Sequence, residues 1–182
     1  MKNDLQLIRR YLAGDLSAFE ALFERHERQV YSFAFHMTGD KTEADDLCQD
    51  IWLEALRSLA TFEGKSAFRG WIHGVAVNVS RRRYRKKTVQ HVPLENGITA
   101  HQPGISADTA TAAAEARVLL QEALPRLPDE QREVVILHEL QGFSYAEIAQ
   151  IIGCPNGTVK SRLHYAIAAL RRMICTDDVK GR

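Results

Sequence analysis

The stretch from Phe143 to Leu170 limits the fold of this chain more than any other, because it describes two helices meeting at a tight turn. Ser144 stands three residues before Glu147, the spacing at which a hydroxyl and a carboxylate each satisfy a backbone N–H at a helix start. Ile148, Ala149, Ile151 and Ile152 supply the apolar side of that helix. Gly153-Cys154-Pro155-Asn156 ends it, since glycine accepts a positive φ and proline cannot continue the hydrogen-bond ladder. Asn156 is expected to cap the next helix, where Val159, Leu163, Ala166, Ile167 and Leu170 recur at three- and four-residue intervals and must face a core.

The side of that second helix turned away from the core carries Thr158, Ser161, His164, Tyr165 and Arg172, flanked by Lys160 and Arg162. Short hydroxyl and cationic side chains near a helix N-terminus can reach base edges and phosphates in a major groove, as the second helix of a helix-turn-helix does. An ordinary helical hairpin with a solvated polar face is the alternative.

A chain of 182 residues can hold two such small domains. Its three cysteines, Cys48, Cys154 and Cys175, lie far apart and in no C-x-x-C pair, which suggests reduced thiols in a cytoplasm. The charged start, Met1 to Asp4, reads as no signal peptide, and no apolar run suggests membrane insertion. Net charge is +1, so no uniform basic coat exists. The charges are instead segregated. Glu43, Asp45, Asp46, Asp50 and Glu54 are all acidic, whereas Arg81 to Lys87 is almost continuously cationic, and opposite charge on separate elements suggests two different partners.

Along the first half, apolar periodicity predicts a helix over Asp4 to Ala13 with Leu5, Ile8, Tyr11 and Leu12 inward, and a second from Asp15 or Ser17 to about Thr38. His26 and His36 are expected to be partly exposed helix residues rather than ligands. A third helix runs from Thr42 to Leu59 with Ala44, Leu47, Cys48, Ile51, Ala55, Leu56 and Leu59 on its buried stripe. Its other side presents Asp46, Asp50, Leu53 and Glu54, with Asp45, Gln49 and Trp52 beside them. A rim of charge around apolar side chains suits a docking face for a basic partner, and a merely solvated face is the plainer reading. No histidine converges there, so neither a metal nor an acid-base site is expected.

Phe62 to Ala67 reads as a loop, and Ser66 can cap the helix after it. In that helix Phe68, Trp71, Ile72, Val75 and Val79 form the buried stripe, leaving Arg69, His73, Asn78, Arg81, Arg82 and Arg85 outward. A loop aromatic leading into a basic helix can track a phosphate backbone and hold an unpaired base. Phe62 is balanced between packing and base contact, and Trp71 is read as core rather than a wedge.

Periodicity fails near Thr88, and Pro93, Asn96, Gly97, Pro103 and Gly104 mark a linker that could extend to about 80 Å. The expected fold is therefore all-α: two small helical domains, residues 1–87 and 112–175, joined by a flexible linker over 88–111 and followed by a tail, 176–182. The second domain opens with Val118, Leu119, Ala123 and Leu124, then a helix from Asp129 in which Val134, Val135, Leu137, His138 and Leu140 follow and which Gly142 closes.

Taken in order, these segments resemble an extracytoplasmic-function sigma factor, the small two-domain class of bacterial RNA polymerase specificity subunits. In the first domain the resemblance rests on Gly14-Asp15 through Phe19, on Ala44 through Trp52, and on Phe68 through Ile72 with Ala76-Val77-Asn78. In the second it rests on Leu127-Pro128 with Gln131 to Val134, on Gly142 to Ala149 and on Gly157 to His164. It implies that Asp46, Gln49, Asp50 and Trp52, with Leu53 beside them, dock on core RNA polymerase. It implies that the loop holding Phe62, Lys65 and Ser66, with Arg69, Asn78, Arg81, Arg82 and Arg85, opens and reads the minus-ten element. The recognition helix, through Thr158, Lys160, Ser161, Arg162, His164 and Tyr165, would read the minus-thirty-five element. The implied partners are core polymerase, promoter DNA and an anti-sigma factor, with no cofactor, metal or catalytic residue of its own. Where many relatives continue with arginines after the histidine of the recognition helix, this chain has Tyr165-Ala166-Ile167, with Arg171 and Arg172 arriving later, so backbone anchoring there is expected to be either weaker or shifted. A free-standing helix-turn-helix regulator is the rival reading, since it needs no acidic docking face, and a carboxylate nuclease using Asp45, Asp46 and Asp50 is a more distant one.

Overall fold

The computed structural model describes residues 4–90 and 112–180, and for side chains residues 4–85 and 118–174; most of the linker lies outside them. Among the described residues there are helices and turns and no strand. In the first domain α1 (Asp4–Leu12) packs on α2 (Leu16–Thr38), and α3 (Lys41–Ser58) and α4 (Phe68–Gln90) complete a bundle with it. Leu22, Val30, Phe33, Met37, Leu47, Ile51, Leu59 and Ile72 are fully buried at its centre. Each joint has a local cause. Gly39 ends α2 in the left-handed region, φ 72°, and returns its N–H to the Phe35 carbonyl. Asp40 then caps α3, its carboxylate accepting from the Glu43 N–H at 2.9 Å, so the helix starts one residue before the expected Thr42.

In α1 the inward residues are Leu7 and Ile8, and Leu12 is 51% exposed, contrary to the expected stripe. Leu12 is the last residue of α1, just ahead of the turn at Gly14, φ 100°.

The second domain comprises α5 (Ala112–Ala123), a 3₁₀ turn over Leu124–Arg126, α6 (Asp129–Val135), a π-helical turn over Ile136–Leu140, α7 (Tyr145–Ile152) and α8 (Asn156–Lys180). The π turn admits one extra residue and shifts the helical phase. Ile136 and Leu137 therefore both turn inward, while His138 stays partly exposed and stacks on Tyr145 at 4.8 Å. The two helices over 144–170 form as read. Ser144 Oγ accepts from the Glu147 N–H, and the Ser144 N–H donates to Glu147 Oε2 at 2.8 Å. Gly153, φ 69°, ends α7. Asn156 is the first residue of α8 rather than its cap, and the Pro155 carbonyl accepts the first bonds, from the Thr158 and Val159 N–H groups. α8 also runs through most of the expected tail, to Lys180, and α4 runs to Gln90, past the expected domain edge at residue 87.

The domains pack against each other. α4 lies along α7, with Gly74 opposite the Ile151 carbonyl, and the end of α2 abuts the Leu124–Arg126 turn, where Gly39 faces the Pro125 ring. Arg132, buried to 6% exposure, donates to the carbonyls of Leu124, Pro125 and Leu127 in its own domain and to that of Met37 across the boundary at 2.6 Å. A cation at the C-terminal turn of α2 also meets the negative end of that helix's dipole.

Candidate functional site

The acidic face of α3 forms because its buried stripe is used up on α2 and α4, leaving the remaining side to water. Asp46, Gln49, Asp50 and Leu53 are exposed there, and Glu54 is half-buried beside them. Leu53 keeps 51% of its surface in solvent, the apolar centre of a charged rim. Arg83 of α4 reaches over to Asp46 and Asp50, 3.4 Å from each, and Arg82 binds Glu54 at 3.0 Å. Trp52 does not join this face. It is only 6% exposed, because Phe19 and Phe23 of α2 extend around the flank of α3 and hold the indole edge-on at 6.0 Å and tilted at 4.8 Å. Its part is to seat α3 on α2.

Between α3 and α4 lies a cleft of about 620 Å³ lined by Glu54, Ser58, Trp71, Val75, Asn78, Arg81, Arg82 and Arg85. Asn78, Arg82 and Arg85 are exposed in it. The loop before α4 brings Lys65, paired with Glu63, and Ser66 to the surface, while the first turn of α4 hangs on the Ala67 carbonyl rather than on Ser66. Phe62 is half-buried, edge-on to Phe68 at 5.7 Å and to Trp71 at 5.5 Å. Trp71 belongs to the same cluster yet also lines the cleft.

Two of the expected outward cations are tied to the second domain. Arg81 binds the wholly buried carboxylate of Glu133 in the second domain, with Nε–Oε1 at 3.0 Å and Nη2–Oε2 at 2.6 Å. Arg69 donates to the Gln141 carbonyl and to Gln29 Oε1, and its guanidinium sits 4.2 Å from the Phe143 ring centroid. Burial pushes the Glu133 carboxyl above the usual carboxylate range, and the Arg81 bonds oppose that shift. His73, expected outward, is 0% exposed between Phe33 and Phe143, and donates Nδ1–H to the Arg69 carbonyl at 2.7 Å. Burial pushes its pKa down to about 4. His26, also expected to be partly exposed, is buried under Phe68 with Nε2 3.1 Å from Asp4. Burial lowers its pKa, and the Asp4 carboxylate opposes the shift.

On α8 the polar side lies open to solvent. Lys160, Ser161, His164 and Tyr165 are exposed, Tyr165 to 64%, and Thr158 is half-buried at the helix start. Lys160 lies over the Tyr145 ring at 5.9 Å, continuing the stack that His138 begins. Arg162 is drawn aside to Glu130 of α6, a surface pair weakened by solvent screening.

The residues that reading the sequence missed are Gln29, Arg132, Glu133 and Gln141, all at the domain boundary. One signal existed: Arg132 and Glu133 stand directly before the apolar run Val134-Val135-Ile136-Leu137 and are buried with it.

Two family descriptions match the chain, Sigma-70 region 2 over residues 22–89 and Sigma-70, region 4, over residues 117–170. The ECF RNA polymerase sigma factor SigM of Mycobacterium tuberculosis is 37% identical over 174 residues, spanning 95% of this chain and 85% of the relative. Among solved structures, CnrH in complex with the cytosolic domain of CnrY superposes with a TM-score of 0.70 at 25% identity, covering 96% of this chain and 98% of that one. The sigma factor RpoE of Bartonella quintana, in complex with the anti-sigma factor NepR, gives 0.67 at 26% identity over 89% and 99%.

Proposed function

Since this chain belongs to the ECF RNA polymerase sigma factors, we propose that its three surfaces divide promoter recognition among them. As a sigma factor it directs core RNA polymerase to a specific set of promoters and initiates transcription there. The acidic face of α3, through Asp46, Gln49, Asp50 and Leu53, is the docking surface for core polymerase. Phe62, Lys65 and Ser66 with the Asn78, Arg81, Arg82 and Arg85 side of α4 take the minus-ten element, and holding an unstacked base there makes melting feasible. Thr158, Lys160, Ser161, His164 and Tyr165 on α8 take the minus-thirty-five element. The chain supplies recognition and melting, and the polymerase supplies the chemistry. An anti-sigma factor is the further partner, as it is for the Bartonella relative.

The observation that carries this reading is the separation of charge onto different elements: an acidic face with an exposed leucine on α3, cations on α4 and α8. A free-standing repressor has no use for the first of these. Heparin-challenged run-off transcription with purified core polymerase tests it. Initiation is expected only when chain and core are both present, and a chain that binds core yet initiates from no duplex would end the proposal.

A further inference from the structure

The acidic face of α3 is held by a side chain from another helix. Asp46 and Asp50 stand four residues apart, so their carboxylates share one side of α3 and repel each other. Arg83 of α4 reaches both: Nη2 lies 3.4 Å from Asp46 Oδ2 and Nη1 lies 3.4 Å from Asp50 Oδ2. The arginine side chain keeps only 23% of its surface in solvent, whereas the two carboxylates keep 60% and 55%. The cation is recessed and the anions stand clear. Its backbone is anchored on both sides, because Ser80 is wholly buried and the Tyr84 hydroxyl donates to the Met37 carbonyl of α2 at 2.8 Å. Arg83 takes Oδ2 of each carboxylate, and an ionised carboxylate has a second oxygen able to accept.

We infer that Arg83 is a positioning residue for polymerase docking: the two arms of its guanidinium set the directions of Asp46 and Asp50, so that their Oδ1 atoms are presented together to cations of the partner. The inference rests on the assignment of the α3 face to core polymerase. It adds to that interface a residue of the basic run on α4, where Arg82 and Arg85 are exposed and Arg83 is half-buried. A planar guanidinium can address two carboxylates in fixed directions, which the single ammonium of lysine cannot. Charge and arrangement make opposite demands at this point. Arg83 subtracts one unit from a negative surface, so a face that worked by its field alone would bind a basic partner more tightly without it. A face that works by arrangement would bind more weakly, because two loosened side chains must then be ordered during association. The recessed fork, its equal reach to both carboxylates and its anchored backbone select the second.

The test is competition by full-length variants against a fluorescently labelled wild-type chain for purified core polymerase, without DNA, read by anisotropy. Arg83→Gln is expected to bind about tenfold more weakly despite the added negative charge, and unchanged or tighter binding overturns the inference. Arg83→Lys keeps the charge and lacks the fork, so it should remain weaker than wild type; full wild-type affinity would make charge the cause and overturn the inference as well. A merely structural loss is separated by the background Asp46→Asn with Asp50→Asn. There Arg83 has no carboxylates to arrange, so adding Arg83→Gln should bring no further loss, and an equal loss in that background overturns the positioning role. The same background keeps the two assignments apart. If the chain with both asparagines binds core polymerase like wild type, the docking assignment of α3 fails and the role of Arg83 with it. If that chain binds weakly while Arg83→Gln alone binds like wild type, the role of Arg83 fails and the docking face stands.

Discussion

The imidazole of His73 lies edge-on to the ring of Phe143, 5.0 Å between centroids, and so joins α4 of one domain to the loop ahead of α7 in the other. Phe33 closes the other side at 6.0 Å, and the Nδ1–H goes to the Arg69 carbonyl. A ring in such a slot is held neutral, and its pKa falls from 6.5 to about 4.

That shift makes the fold acid-sensitive with a definite sign. The unfolded chain protonates His73 near 6.5 while the folded chain resists until about 4, so the stabilisation is complete above pH 6.5 and is lost as pH falls from there toward 4. Between about pH 7.5 and 5.0 the wild-type chain is expected to lose about 2 kcal/mol from this group. The raised pKa of Glu133 acts in the opposite direction, because the folded carboxyl takes up its proton first. Comparing wild type with His73→Phe in urea at both pH values cancels the Glu133 contribution. The variant should show no such loss, and parallel pH dependences would exclude His73 as the source.

Docking and seating separate on α3. Asp50→Ala removes an exposed carboxylate, so stability should change by no more than about 0.5 kcal/mol while affinity for core polymerase falls in a pull-down. Trp52→Ala empties a slot lined by Phe19 and Phe23 and should cost about 3 to 5 kcal/mol in a denaturant melt. A Trp52 variant that melts like wild type would return that residue to the docking face.

This contrast shows what the sequence could and could not carry. Periodicity located α3 and its main stripe, since every fourth residue faces α2 or α4. Trp52 escaped because its burial depends on how far Phe19 and Phe23 reach around the helix, a matter of side-chain length on another element. The capping box of Ser144 and Glu147 was legible because both its partners are three residues apart. Glu133, Arg132 and His73 were not, since a face turned toward a second domain carries the same polar residues as one turned toward water. The π turn over Ile136–Leu140 was hidden for a related reason: one inserted residue leaves composition unchanged and alters only phase.

On α8 the expected effect is electrostatic. Lys160 is exposed and held only over the Tyr145 ring, so its ammonium is free to meet a phosphate. Lys160→Ala should weaken duplex binding across sequences and reduce the slope of log affinity against log salt by about 1. Titrations at several salt concentrations read this directly. An unaltered slope would place Lys160 away from the backbone and leave Ser161, His164 and Tyr165 to carry the contact.

Ser144→Ala tests the joint between the π turn and the helix-turn-helix. The substitution removes the hydroxyl that accepts from the Glu147 N–H, and Glu147 loses the hydrogen bond that holds its pKa below the ordinary carboxylate range. A loss of about 1 kcal/mol is expected by thermal melting. Because the Ser144 N–H still reaches Glu147, Glu147→Gln should cost less than the serine variant, and the reverse order would show that the carboxylate, not the hydroxyl, organises the turn.

Gly39 offers the cleanest measure of how tightly the domains hold each other. Its φ of 72° is left-handed, and a Cβ there would stand 2.6 Å from Cγ of Pro125, part of a stiff ring in the other domain. Gly14, φ 100°, also lies at positive φ but has nothing within 4 Å of its Cβ position. Gly14→Ala should therefore cost only backbone strain, about 1 kcal/mol, while Gly39→Ala adds the collision and should cost about 1 to 3 kcal/mol more. Pro125→Ala removes the ring carbon that collides. In the double variant the extra cost should largely disappear, a coupling of about 1 kcal/mol or more in a double-mutant cycle read by urea unfolding. Simple additivity of the two substitutions would mean that the α2 terminus and the Leu124–Arg126 turn are not in contact in the free chain.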